Sequence, residues 1–258
     1  MTKNRFISAC KAGLYHFLFS TLIALIVAWV VFFIWYPSPY RELIGGLHLF
    51  LILVTVDVVC GPLLMMVIFN PKKSKNELIL DISVIVIIQA AALLYGIYSI
   101  YQARPVALIF EVDRFVVVSA VKINQEDIAN ARDEYKELSI FGKPWLLSTR
   151  KPQNGEEMLA SIESSSRGVE PSVRPNWWQS YDDSRDMVKI RMKPLAALYS
   201  KGPEEKFIIK KSMIFYGFDQ EKAYYLPLVS GENLDSWSVI LDENAKILGF
   251  LPIDGFSE

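Results

Sequence analysis

Three long apolar runs fill the first 101 positions, and a mixed apolar and polar pattern follows them. The first run, Leu14 to Trp35, holds 22 residues and no charge. A bilayer crossing needs roughly 20 apolar residues at about 1.5 Å of rise each, so this run predicts a span. A secretory signal would have a shorter apolar region, about 7–15 residues, and would end in small residues. Here the run ends in Phe32-Phe33-Ile34-Trp35-Tyr36-Pro37, an interfacial aromatic belt followed by a stop, which predicts a retained helix. The second run, Leu43 to Phe69, is broken by Asp57 and by Gly61-Pro62. The third, Leu78 to Tyr101, carries Asp81 near its start and Gln89 within it. Spans are therefore expected at 14–35, 43–69 and 78–101, within a membrane region 1–103.

Beyond residue 104 the pattern is that of a globular α+β domain, 104–258, with an antiparallel sheet expected. Residues 105–110 and 115–121 read as strands joined by a hairpin at Val112-Asp113-Arg114. Asn124 can cap a helix running to Leu138, and Asn154 a second one through Ser164. Residues 145–148 read as a short strand and 165–175 as a loop, and 183–199 has helical periodicity interrupted by Pro194. Strands are expected at 223–229, 237–241 and 247–252, the last two joined by a turn at Asp242-Glu243-Asn244-Ala245.

Charge sharpens the division. Seven Lys/Arg and four Asp/Glu precede residue 104, and 20 and 24 lie from residue 104 onward, so the apolar part is net +3 and the rest net −4. A mildly acidic domain offers no basic face for nucleic acid. Lys3, Arg5 and Lys11 precede the first run, and Lys72, Lys73 and Lys75 lie between the second and third. Only Arg41 lies between the first and second. The positive-inside bias then predicts a cytoplasmic N-terminus and, after three crossings, an outward-facing C-terminal domain. Both cysteines, Cys10 and Cys60, lie in the apolar part, so the outer domain must stand without disulfides.

Candidate chemistry is sparse. The only histidines, His16 and His48, are expected near opposite ends of their spans, too far apart in depth to share a metal. Each has a bland reading, a polar group within helix packing, and a functional one. Ser148 and Lys151 have serine–lysine hydrolase spacing but lack the companion motifs of that class. Asp182, Asp183 and Asp186 lack a calcium-loop spacing, and Trp177-Trp178 reads more readily as core than as a ligand platform. No phosphate-binding or dinucleotide motif is present, so no cofactor is expected.

The sharpest feature is Asp57. It sits about 18 Å from the cytoplasmic end of its run, and Gln89 about 16 Å from the same face, at 1.5 Å per residue. An unpaired carboxylate in hydrocarbon is costly, so a hydrogen bond between Asp57 and Gln89 is expected. Asp81 is shallow enough to reach the Lys72–Lys75 loop. Asp57 either locks helix packing or receives a polar group of a partner's transmembrane helix.

Lys11-Ala12-Gly13, Trp35-Tyr36-Pro37-x-Pro39, Gly46 and Asp57-Val58-Val59-x-Gly61-Pro62-Leu63-Leu64 run in order along the spans. Asp81, Gln89, Ala92-Leu93-x-Tyr95-Gly96, Ala103-Arg104-Pro105-Val106 and Asp113-Arg114-Phe115 continue the series. This set resembles the type IV pilin accessory proteins of the TfpX/TfpZ (FimB-like) kind; the last 140 or so residues follow only the general layout. The resemblance implies a multi-pass inner-membrane protein of Gram-negative bacteria with its C-terminal domain in the periplasm. It implies a pilin chaperone or assembly factor and not an enzyme. The partners it implies are the major pilin, the bilayer and the pilus assembly machinery. Asp57, Gly61, Pro62, Gln89, Asp81 and Gly46 are then the candidates for partner contact or helix packing, with His48, Trp35, Pro37, Arg104 and Pro105. With Gly45 and Gly46, Gly61 and Asp57 would turn the second span toward the pilin helix. The rival readings are a periplasmic ligand-sensing or signalling subunit and a membrane-anchored hydrolase using Ser148 and Lys151.

Overall fold

A computed structural model describes residues 3–141, 143–231 and 233–256, so both ends of the expected domain limits, 1 and 258, lie outside the described residues. The chain divides into two compact units, Met1–Arg104 and Pro105–Glu258.

The first unit contains three helices long and apolar enough to cross a membrane: Arg5–Trp35, Gly46–Ile68 and Lys75–Gln102. The helix of the first begins at Lys3, well before the uncharged run, because no proline lies between Lys3 and Leu14 and the single Gly13 is tolerated. The third starts on a capping box. Ser74 Oγ accepts from the Glu77 amide, and the Glu77 carboxylate accepts from the Ser74 amide. Pro62 has no N–H to give the carbonyl four residues back, so the ladder of the second span must adjust there. It does so through a π-helical stretch, Thr55–Cys60, that contains Asp57 and runs into Gly61–Ile68. A second π-helical stretch, Val31–Trp35, ends the first span. Val31, Tyr36, Phe50, Leu53 and Ile100 form the buried centre of the unit. The Tyr36 hydroxyl donates to the Ile100 carbonyl at 2.7 Å, which ties the end of the first span to the end of the third.

The second unit is built on one mixed sheet. Its strands are β1 (Pro105–Glu111), β2 (Arg114–Ser119), β3 (Trp145–Thr149), β4 (Trp178–Ser180), β5 (Lys193–Pro194), β6 (Tyr224–Ser230), β7 (Asn233–Leu241) and β8 (Ile247–Leu251). The order is β4-β3-β1-β2-β6-β7-β8, with β5 paired to β6. Among the described residues five pairings are antiparallel, as the sequence led us to expect, and two are parallel, β1 with β3 and β2 with β6. Both parallel pairs join strands separated by long connections, which is what a parallel pairing requires. Tyr135, Trp145 and Trp178 pack ring against ring at 5.8–6.2 Å over one part of the sheet. The Trp178 indole N–H is satisfied by the Ser172 carbonyl at 2.8 Å.

Two local expectations need correction. The helix capped by Asn124 stops at Ile128, not Leu138. The chain turns there so that Ala131 and Tyr135 can enter the core, Tyr135 from a 3-10 turn. Residues 203–216, to which the pattern assigns no element, form a helix, Pro203–Tyr216. Apolar residues fall on both its faces, Ile209 fully buried and Phe207, Ile214 and Phe215 exposed, so no amphipathic period marks it.

Candidate functional site

His16 and Ser20 of the first span, Asp57 of the second and Gln89 of the third line a cavity of about 150 Å³ whose remaining walls are apolar. Ile23, Phe50, Leu53 and Leu93 form its walls. Phe19, Val86 and Ala90 line it while remaining exposed, so it opens on the flank of the bundle. His16 lies 13 residues from the helix start at Lys3, Asp57 11 from the helix end at Ile68, and Gln89 14 from the helix start at Lys75. At 1.5 Å per residue these depths are about 20, 17 and 21 Å. The three groups therefore share one level of the membrane.

The expected bond between Asp57 and Gln89 is not made. Asp57 is only 9% exposed, and among the described residues neither of its carboxylate oxygens has a hydrogen-bond partner. Gln89 Oε1 and His16 Nε2 are also buried without one. The reason lies at Gly61, one helical turn beyond Asp57. A Cβ there would collide with Gln89 Nε2 and would stand 2.6 Å from His16 Nε2. The Gln89 amide nitrogen and the imidazole converge on the bare glycine backbone, so the amide is drawn away from the carboxylate. The π-helical turn directs Asp57 into the cavity instead. A first span starting at Leu14 puts the His16 imidazole near the interface, which is why the sequence does not bring it level with Asp57 and Gln89. The signal that could have found it is the absence of any proline between Lys3 and Leu14.

The other expected residues serve separate ends. Gly46 is buried, and a Cβ on it would strike the ring of the fully buried Tyr36. Pro62 is buried in the first turn after the π-helical stretch. Gly45 precedes the second span in the left-handed region, at φ +67. Gly46, Gly61 and Asp57 thus face the chain's own spans. Trp35 meets Tyr101 edge-to-face at 5.2 Å, and Pro37 lies half-buried just beyond it. His48 is exposed on the second span. Asp81 reaches the basic loop and pairs with Lys73. The Arg104 guanidinium lies 3.8 Å over the Tyr101 ring and donates to the Tyr101 carbonyl at 2.9 Å. Pro105 is buried as the first residue of β1.

In the second unit, Ser148 is fully buried and its hydroxyl donates to the Ser180 carbonyl at 2.9 Å, while Lys151 is exposed. Asp182 pairs with Arg185, and among the described residues no group of three His, Cys, Asp or Glu is arranged to hold a metal. Trp177 is buried beneath two guanidinium groups, those of Arg150 at 4.6 Å and Arg174 at 5.3 Å. Sequence reasoning missed the ionic pins around it. Asp127 accepts from Asn124, Arg174 and Asn176 at 2.7–2.9 Å. Glu157 receives both terminal nitrogens of Arg150 and the Gln153 amide, and these donors, Arg150 first, hold its carboxyl down at about 2. These contacts fix the loops and helices of the domain and leave its chemistry unclaimed.

Residues 4–45 match the family of the fimbrial assembly protein FimB. Two curated relatives from Dichelobacter nodosus, the fimbrial assembly proteins of serogroup E1 and serogroup I, are each 37% identical over 257 residues, covering 99% of this chain and 99% of theirs. A third from that organism, the fimbrial assembly protein of serogroups C1 and C2, is 43% identical over 131 residues, 51% of this chain and all of its own. No solved structure matches the chain.

Proposed function

The chain belongs to the FimB family of fimbrial assembly proteins, whose members act in pilus assembly, and from that premise we propose that it is a non-enzymatic inner-membrane chaperone for a type IV pilin. The observation that carries the proposal is the unpaired Asp57 in a cavity open on the flank of the bundle. A carboxylate left without partners at mid-membrane costs stability, and such groups persist where they are used. The cavity offers acceptors, Asp57 Oδ1 and Oδ2 and Gln89 Oε1, in an apolar wall. A single transmembrane helix bearing a polar group that donates hydrogen bonds would engage them and bury the apolar rim at Phe19, Val86 and Ala90. A pilin awaiting assembly is a single hydrophobic helix with a soluble head, and so has the form this cavity would receive.

In this reading Gly46, Gly61, Pro62, Trp35 and Pro37 hold the bundle in the shape that keeps the cavity open. Asp57, Gln89 and His16 meet the partner helix. His48, exposed on the second span, and Asp81 with Lys73 flank the contact, while Arg104 and Pro105 join the third span to the domain. The N-terminus and the Lys72–Lys75 loop are cytoplasmic and the domain is periplasmic, in reach of the pilin head and of the assembly machinery. An exposed apolar patch on the helix Gly155–Ser166, formed by Met158, Leu159 and Ile162, supports a contact with that head. The rival hydrolase is disfavoured by Ser148, whose hydroxyl is buried and already bonded.

Photo-crosslinking in living cells tests the proposal. A photoreactive residue at Phe19, Val86 or Ala90 should yield an adduct with the major pilin, and Asp57→Leu should abolish it. Adducts with unrelated membrane proteins alone would overturn it.

A further inference from the structure

A second surface points to a different partner. The helix Pro203–Tyr216 buries Ile209 completely and packs Ile208 and Met213 on the core beneath it. Its outer face is not polar. Phe207 is 69% exposed, Ile214 87% and Phe215 79%. Phe207 and Ile214 are seven residues apart and so stand one above the other. Lys210 and Lys211, both exposed, lie on either side of that line, and Lys206 extends one flank. Glu204 and Glu205 occupy the first turn, where the helix dipole favours acids, far from Ile214 and Phe215. An apolar line between lysines is the composition of helices that lie in the plane of a bilayer surface. There the rings enter the headgroup boundary and the ammonium groups reach the phosphates.

The occupant follows from the chain itself. The third span ends at Gln102 and β1 begins at Pro105, so two residues join the membrane to the domain. So short a tether keeps the domain within reach of the lipid surface, and a face of exposed rings and lysines is the part of it suited to that surface. We propose that the helix Pro203–Tyr216 is an interfacial anchor that binds the anionic lipid surface from which the third span emerges, through Phe207, Ile214 and Phe215 with Lys206, Lys210 and Lys211. This surface is separate from the intramembrane cavity and does not depend on the pilin reading.

The test uses the full chain in lipid nanodiscs, without pilin. Cys10 and Cys60 are replaced by alanine, and an environment-sensitive fluorophore is attached at Ile214→Cys or, as a control, at the exposed Glu163→Cys. In discs of phosphatidylcholine with phosphatidylglycerol, the label at 214 should shift to the blue and be quenched by brominated acyl chains, and the label at 163 should not. Replacing Lys206, Lys210 and Lys211 by glutamate should lower the bound-to-free ratio by roughly fivefold or more per lysine. A label at 214 as open to aqueous iodide as the one at 163 would overturn the proposal. So would a label shielded from iodide yet untouched by brominated lipid, which would give the face to a protein, a second copy included. Quenching indifferent to the lysine variant would overturn it too, since the charged half of the site would then be idle.

Discussion

A buried group with no partner makes opposed predictions for stability and for function, and Asp57 is that group here. Asp57→Leu removes the unpaired carboxylate from the apolar cavity. It should stabilise the bundle in detergent by about 1–3 kcal/mol, read as a higher Tm by circular dichroism, while surface piliation is lost. Asp57→Asn keeps one carbonyl acceptor and should fall between wild type and leucine in piliation. A leucine variant with lower Tm and normal pili would mean that Asp57 is a packing lock. Gly61 behaves in the opposite way. Gly61→Ala forces Gln89 and His16 off the backbone they rest on, and should cost about 1–3 kcal/mol, seen as a lower Tm and a lower yield of folded protein. The two substitutions lie one helical turn apart, so their opposite signs would separate a group held for function from one held for packing.

At the level of elements, the ion pairs of the C-terminal domain carry a pH dependence that can be signed. Glu157 is held down at about 2 by Arg150 and the Gln153 amide, below its unfolded value of about 4.3. A depressed carboxylate stabilises the fold above the unfolded value and loses that contribution as pH falls through the folded one. Wild type should therefore weaken between about pH 4 and 2, and Glu157→Gln should weaken less there. Urea midpoints from tryptophan fluorescence should differ between the two at pH 6 and converge toward pH 2. Which elements were legible follows the same physics. Strands with alternating or wholly apolar runs, such as β1, β6 and β8, announce themselves, and so does the helix capped by Asn154, whose side chain accepts from the Glu157 amide. The helix Pro203–Tyr216 did not, because Phe207, Ile214 and Phe215 on its outer face break the contrast with its buried side. The parallel pairings were also hidden, since strand order across a long connection leaves no local mark. In the bundle, Asp57 and Gln89 stood out by charge and depth. Their failure to bond was set by the π-helical turn and by Gly61, which no periodicity reports.

Across the whole molecule, the assembly role rests on a topology that the fold alone leaves open, since three spans can be threaded in either sense. Basic residues favour one of the two, because cytoplasmic flanks retain Lys and Arg. Lys3, Arg5 and Lys11 precede the first span's apolar run, and Lys72, Lys73 and Lys75 lie around the turn between the second and third. The turn between the first and second holds only Arg41. An alkaline phosphatase fused after Glu258 should therefore be active, since that enzyme folds only outside the cytoplasm, and one fused within the turn at Lys73 should be inactive. Fluorescent protein fusions should give the reverse pattern. The same arrangement ties the parts of the protein together. If the domain is periplasmic, Met158, Leu159 and Ile162 can meet a pilin head while the cavity at Asp57 holds the pilin helix. An active fusion at Lys73 with an inactive one at Glu258 would put the domain on the wrong side for that head. It would leave the intramembrane contact as the only shared surface.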